Sequence, residues 1–195
     1  MTVAGLTEVL QRHRVGLSDA EVVAELDAAL SAASDAGATP LSTGETDFLR
    51  THAGPHAASA IDTRSPGRER TERGRAITQR LADAIAGSWS IAETAQLLGV
   101  DRSRISHRLK TGTLWAFSLG RHRRIPRWQI TAAGETLPGL AVVVPAIPAG
   151  LDPQALDAFV HTAQPDFTDQ TPLAYLAAGG DPALVAGFVA DLGRW

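Results

Sequence analysis

The chain has no cysteine, so disulfide scaffolds, thiolate zinc sites, iron–sulfur clusters and cysteine nucleophiles are excluded at the outset. Aromatic residues are scarce at 5% of the chain, while apolar residues overall reach 44%. That balance favours several small Ala/Leu/Val-packed helical units over one thick sheet core. Long hydrophobic runs are missing as well. The longest, LAVVVPAIP at 140–148, is interrupted by prolines and falls far short of the roughly 20 residues that span a bilayer. The first 15 residues carry Glu8, Arg12 and Arg14 and no continuous apolar stretch. No secretory signal is read there, and a cytoplasmic location with no membrane partner is expected. At 195 residues the chain has room for one ordinary domain or two or three small ones.

What the chain does have is a strongly segregated charge. Residues 1–63 hold 3 basic and 9 acidic residues (−6), residues 64–127 hold 14 and 5 (+9), and residues 128–195 hold 1 and 7 (−6), which together give the net −3. A cationic centre between two acidic ends is the footprint of a module that binds a polyanion, carried between parts with other tasks. Of the 18 basic residues 17 are arginine, which by itself reflects genome composition as readily as phosphate chemistry.

These blocks suggest three segments. Residues 1–63 read as helices: Ser18 with Glu21 and Ser42 with Glu45 form two capping boxes, and Val22, Leu26, Leu30 and Ala33 recur along one helix face. Three helices in so short a stretch make a small core, so the segment is expected to complete itself against a second copy of the chain, as a dimer, or against the next module, with self-association favoured. The polar run from Ala57 to Arg75 reads as a linker that becomes helical near Arg70.

The central segment, 64–137, contains the informative stretch. Ser90 with Glu93 opens a helix in which Ala95 and Leu98 face inward, Gly99 closes it and Val100 plugs the corner. A second helix starts at Asp101 or Ser103, with Ile105 and Leu109 on one face and polar or cationic residues on the others. Two short helices joined by a tight glycine-containing turn are a helix-turn-helix. No acidic residue follows Asp101 until Glu135, and Ser, Arg and His side chains are suited to base edges in a major groove. Beyond Gly112 the chain alternates to Gly120-Arg121 and returns to Pro126, a hairpin whose arginines would grip the backbone beside the groove.

The strings SIAETAQLLGVDRSRIS, KTGTL and GRHRRIP, in that order and spacing, resemble the excisionase/MerR-type winged helix-turn-helix family over about 45 residues. The resemblance implies double-stranded DNA as partner, with Ser103, Arg104, Ser106, His107 and Lys110 on the groove side of the second helix and Arg121, Arg123 and Arg124 on the wing. One such module reads a short site, so an inverted repeat bound by two copies is expected. With roughly 6 to 8 phosphates neutralised per unit, affinity should fall with salt at a log–log slope near −0.9 per contact.

In the third segment, 138–195, PGLAVVVPAIPAG reads as a short strand or an extended apolar connector, followed by helices at LDPQALDAFVHTAQP, TPLAYLAAGG and DPALVAGFVADLGRW. D-x-T-P-L-A-Y-L, a Gly-rich turn, D-P and an apolar helix resemble the C-terminal toxin-binding domain of the Xre/MbcA/ParS antitoxins, which partner RES-domain toxins that destroy NAD. By that resemblance Tyr175, Leu176, Leu184, Phe188, Leu192, Arg194 and Trp195 would form the toxin contact. The helical spacing of Leu184, Phe188 and Leu192 fits an internal core equally, whereas a terminal Trp195 suits an interface anchor.

Enzyme readings find little support. His52 and His56 are separated by a helix-breaking Gly54-Pro55 and lack a third ligand, and no nucleophile elbow or phosphate loop is present. No catalysis, metal or cofactor is expected. The fold class expected is mainly α, with an N-terminal helical segment, a central winged helix-turn-helix bearing a small β-hairpin, and a C-terminal helical toxin-binding domain. The function expected is that of an antitoxin of a type II toxin-antitoxin system that neutralises a RES-type toxin and represses its own promoter. The alternative is a stand-alone transcriptional regulator or excisionase-like factor.

Overall fold

A computed structural model describes residues 5–12, 16–35, 42–52, 54 and 66–194. Among them are ten α-helices and a three-stranded antiparallel sheet. The described chain is mainly helical, and none of its helices is long and apolar enough to cross a membrane. It divides into two units, Ala20–Ala82 on the one hand and Met1–Asp19 with Asp83–Trp195 on the other.

The first unit is built of helices that bury little. Helix α2 (Asp19–Asp35) carries its Val22 and Leu26 half-buried and its Leu30 exposed. Helix α3 (Thr43–His52) opens on the expected box: the Glu45 amide donates to Ser42 Oγ at 3.3 Å and Glu45 Oε2 accepts from the Ser42 amide at 2.8 Å. Its Phe48 ring lies 4.5 Å from that of His52; His56, once paired with His52 as a ligand candidate, lies outside the described residues. Helix α4 (Pro66–Ala86) begins earlier than the linker reading placed it, with a proline in its first position, where the missing amide costs nothing.

The second unit starts with helix α1 (Leu6–Arg12), whose Leu10 is buried, as is Leu17 after it. From the end of α4 the chain enters strand β1 (Ser88–Ser90), then helices α5 (Ile91–Leu97) and α6 (Arg102–Lys110), then strands β2 (Phe117–Leu119) and β3 (His122–Pro126). Strand order is β1-β3-β2, with Trp89 opposite Ile125 and Leu119 opposite His122. The last pairing leaves Gly120-Arg121 as a two-residue turn, and Gly120 takes a φ of 52°, the left-handed conformation such turns demand.

The apolar stretch after Pro138 is neither strand nor extended connector. Gly139, at φ 81°, turns the chain into helix α7 (Leu140–Val143), followed by a 3-10 turn (Val144–Ala146). Burial decides this against the β preference of valine: Leu140, Val143 and Val144 all turn into the core. Helices α8 (Pro153–His161), α9 (Pro172–Ala177) and α10 (Pro182–Asp191) follow, capped by Asp152, Thr171 and Asp181, each with proline in the first turn. Helix α10 packs along α7, and α9 against α8. A single core joins Ala95, Ile105, Leu114 and Ile125 to Leu140, Leu156, Phe167, Leu176, Val185 and Val189, so it runs without interruption across position 137.

Candidate nucleic-acid interface

The α5–α6 pair is fixed by local chemistry. Ser90 Oγ accepts from the Glu93 amide at 3.1 Å, while Glu93 Oε2 accepts from the Ser90 amide at 2.7 Å. These reciprocal bonds satisfy donors that a helix start leaves open. Gly99, at φ 63°, ends α5, and the Val100 amide returns to the Ala95 carbonyl at 2.9 Å. Asp101 then occupies the N-cap of α6 with extended backbone, although its side chain makes no capping bond.

One edge of α6 is buried and the rest is open. Ile105 is fully buried and Leu109 half-buried, while Arg102, Ser103, Arg104, Ser106, His107 and Lys110 are exposed. The helix contains four cations and no carboxylate. Three basic residues in its last turn, His107, Arg108 and Lys110, lie where the helix dipole favours positive charge, so their placement serves the helix as well as any ligand. All five α6 residues singled out in the sequence are thus brought together on one exposed surface. Arg102 and half-buried Arg108 join them; the sequence places Arg102 away from the apolar face without singling it out as a contact, and Arg108 is passed over, although the charge of the stretch pointed to it.

From α6 the chain is led to the sheet by a run of bonds onto its last turn. The Thr111 amide donates to His107 O at 2.9 Å, and the Thr113 and Leu114 amides to Arg108 O at 2.9 and 3.2 Å. At the hairpin turn Arg121 and Arg123 are exposed, and Arg121 Nε donates to His122 Nε2 at 3.2 Å.

Arg124 departs from the wing assignment. It is 1% exposed and its guanidinium points inward, where Nε donates to Ser88 Oγ at 3.0 Å and Nη2 to Ser88 O at 2.7 Å and Ile85 O at 3.1 Å. Nη1 lies 3.6 Å from Glu93 Oε2. Burial lowers the Arg124 pKa from its ordinary value, opposed by the Glu93 carboxylate and reinforced slightly by Arg127. Alternation explains the placement: Arg123 and Arg124 must face opposite sides of a strand, and the sheet side of Arg124 is covered by the end of α4. This cation therefore ties α4, β1, the α5 cap and β3 together rather than meeting a ligand. Another arginine missed in the sequence, Arg127, is exposed with its guanidinium 5.3 Å from the Trp89 ring centre.

The tail residues are dispersed between core and surface. Leu176 is buried, which removes it from the contact set read in the sequence. Tyr175, Phe188 and Leu192 are half-buried and packed on the core, with the Tyr175 and Phe188 rings 5.4 and 5.2 Å from that of buried Phe167. Tyr175 Oη also accepts from the Asp181 amide at 3.2 Å. Leu184 is exposed. The Arg194 side chain and Trp195 lie outside the described residues. Among the described residues no group of three or more His, Asp or Glu side chains is arranged to hold a metal ion.

No protein-family model matches this chain, no curated protein matches it, and no solved structure matches it.

Proposed function

We propose that this chain is a double-stranded-DNA-binding antitoxin and autoregulator. In this reading α5 and α6 are a helix-turn-helix, α6 enters the major groove, and the β2–β3 hairpin is a wing whose Arg121 and Arg123 contact backbone phosphates. The observation that carries it is the make-up of α6: one buried edge at Ile105, and an exposed surface of Ser103, Arg104, Ser106, His107 and Lys110 free of carboxylates. Two copies, joined through residues 1–63, would read an inverted repeat; the incomplete burial of α2 supports a partner for its apolar stripe. The C-terminal resemblance supplies the second activity, capture of a RES-type toxin in the cytoplasm.

Fluorescence anisotropy with duplex DNA from upstream of the chain's own reading frame tests the first part. Replacing Arg121 and Arg123 by alanine should flatten the salt dependence by about 1.8 in log–log slope per bound copy, about 3.6 for two copies on the repeat, at about 0.9 per lost phosphate contact. An unchanged slope would eliminate the wing. For the toxin, removing the C-terminal helices is uninformative, because Leu176, Val185 and Val189 belong to the core. Co-purification of a RES-type toxin with an exposed-site variant, Leu184→Asp, is the cleaner measurement, and retention of a stable complex would count against this surface.

A second reading, a stand-alone DNA-binding regulator, is favoured by the packing of Tyr175, Leu176, Phe188 and Leu192 on the core. In it the tail completes the fold and binds nothing. Failure to capture any RES-type protein, together with intact DNA binding, would select it.

A further inference from the structure

We infer that the front of α6 selects guanine, with Arg104 and Lys110 each taking the O6 and N7 edge of one guanine in the major groove. The inference deepens the DNA-binding reading above and rests on it.

At about 100° per residue, the direction opposite the Ile105–Leu109 edge is that of His107. Ser103 and Lys110 stand to one side of it and Arg104 to the other, and all four are exposed. A major groove about 12 Å wide admits one helix of about 10–12 Å, so side chains opposite the buried edge meet the groove floor and those at the flanks meet the phosphate rims. Arg102 and Arg108 lie nearer the buried edge and belong to the rims.

The front is a set of donors. Arg104 carries five N–H groups in a planar fork and Lys110 carries three, and neither side chain has an acceptor. Among the described residues these two side chains make no hydrogen bond or ion pair, in contrast to Arg124, whose guanidinium donates to Ser88 and Ile85. His107 adds a ring N–H in either tautomer, and Ser103 pairs with donors and acceptors alike. In the groove guanine alone offers two acceptors; adenine couples one acceptor with a donor, cytosine offers a donor, and thymine one acceptor beside a methyl. Adenine and cytosine thus set a donor against a donor. The side chains that read them, Asn or Gln for adenine and Asp or Glu for cytosine, are absent from α6. Its apolar side chains, Ile105 and Leu109, pack on the core, so the front holds no partner for the thymine methyl. Arg104 and Lys110 are six residues apart, about 9 Å along the axis, which spans two to three base-pair steps of about 3.4 Å.

The test is selection by the full chain from a pool of duplexes with a randomised core of about 20 base pairs, two helical turns. Retained sites should hold two guanines, on either strand, two or three base pairs apart. Placing 7-deazaguanine at either one, which replaces the N7 acceptor by C–H, should weaken binding about 5-fold or more. Arg104→Gln should exchange guanine for adenine at one of the two positions, because a carboxamide pairs with adenine N6 and N7. Lys110→Ala should relax the other position alone. Both side chains are exposed, so neither variant disturbs the core. Retained sites without a guanine preference overturn the inference and spare the DNA-binding reading. So does an Arg104→Gln chain that weakens every sequence alike and flattens the salt slope by about 0.9 per bound copy, the behaviour of a phosphate contact. Wild type that retains no duplex overturns both.

Discussion

The side-chain amide of Gln129 holds the backbone of Trp115 at both of its polar groups, accepting from the Trp115 amide at 2.7 Å and donating to its carbonyl at 2.8 Å. Gln129 is fully buried, so it replaces a strand neighbour for the segment that leads from α6 into β2. Leucine at this position should fill a similar volume yet leave a buried donor and acceptor unpaired, at a cost of about 2 to 4 kcal/mol. Urea unfolding of Gln129→Leu measures it; a loss below about 0.5 kcal/mol would show that water substitutes for the amide.

Arg124 and Arg123 are neighbours with opposite assignments, and a pair of substitutions separates them. Arg124→Met should cost about 3 kcal/mol or more, because Glu93 and two carbonyls lose a buried cation, while the folded fraction keeps its DNA salt slope. Arg123→Ala should change stability by less than about 0.5 kcal/mol and lower the slope by about 0.9 per bound copy. Thermal melts combined with anisotropy distinguish the two; an exchange of these phenotypes would reverse the placement.

Gly180 lies against Tyr175 so closely that a Cβ there would fall 2.4 Å from the ring. Gly180→Ala should therefore displace the tyrosine that accepts from the Asp181 amide, destabilising the protein by about 1 to 3 kcal/mol. If the clash is the cause, the cost should shrink in a Tyr175→Ala background, which a double-mutant cycle reads directly.

Glu45 is held below the ordinary carboxylate range by the hydrogen bonds from the Ser42 hydroxyl and amide. A depressed folded pKa means that the stabilisation is complete above the unfolded value and disappears as pH falls through the folded one. The start of α3 should accordingly loosen in acid and not in base. NMR titration of the Glu45 carboxylate gives the midpoint, and Ser42→Ala should move it up toward the ordinary value; an unmoved midpoint would remove Ser42 as its cause.

Much of this arrangement was legible in the residues. Ser90-Glu93, Ser42-Glu45, Gly99 and Gly120-Arg121 are signals whose geometry is local, and each appears where the sequence placed it. Strand β1 was not read, since three residues carry no periodicity and Ser88–Ser90 exists through its pairing with β3. Val142–Val144 misled in the other direction, because a valine run favours a strand until tertiary burial overrides it. The fate of Arg124 was equally beyond composition: a charge count cannot tell which arginine of an adjacent pair faces inward.

The core that passes from Ile105 and Ile125 to Val185 and Val189 makes α6 and the C-terminal helices parts of one cooperative body. In the proposed reading, a toxin that clasps the tail in its native form must, by mass action, protect α6 from unfolding, and a duplex held on α6 must in turn protect the tail. Two occupants with no atom in common would then lengthen each other's protein lifetime against proteolysis, through shared foldedness alone.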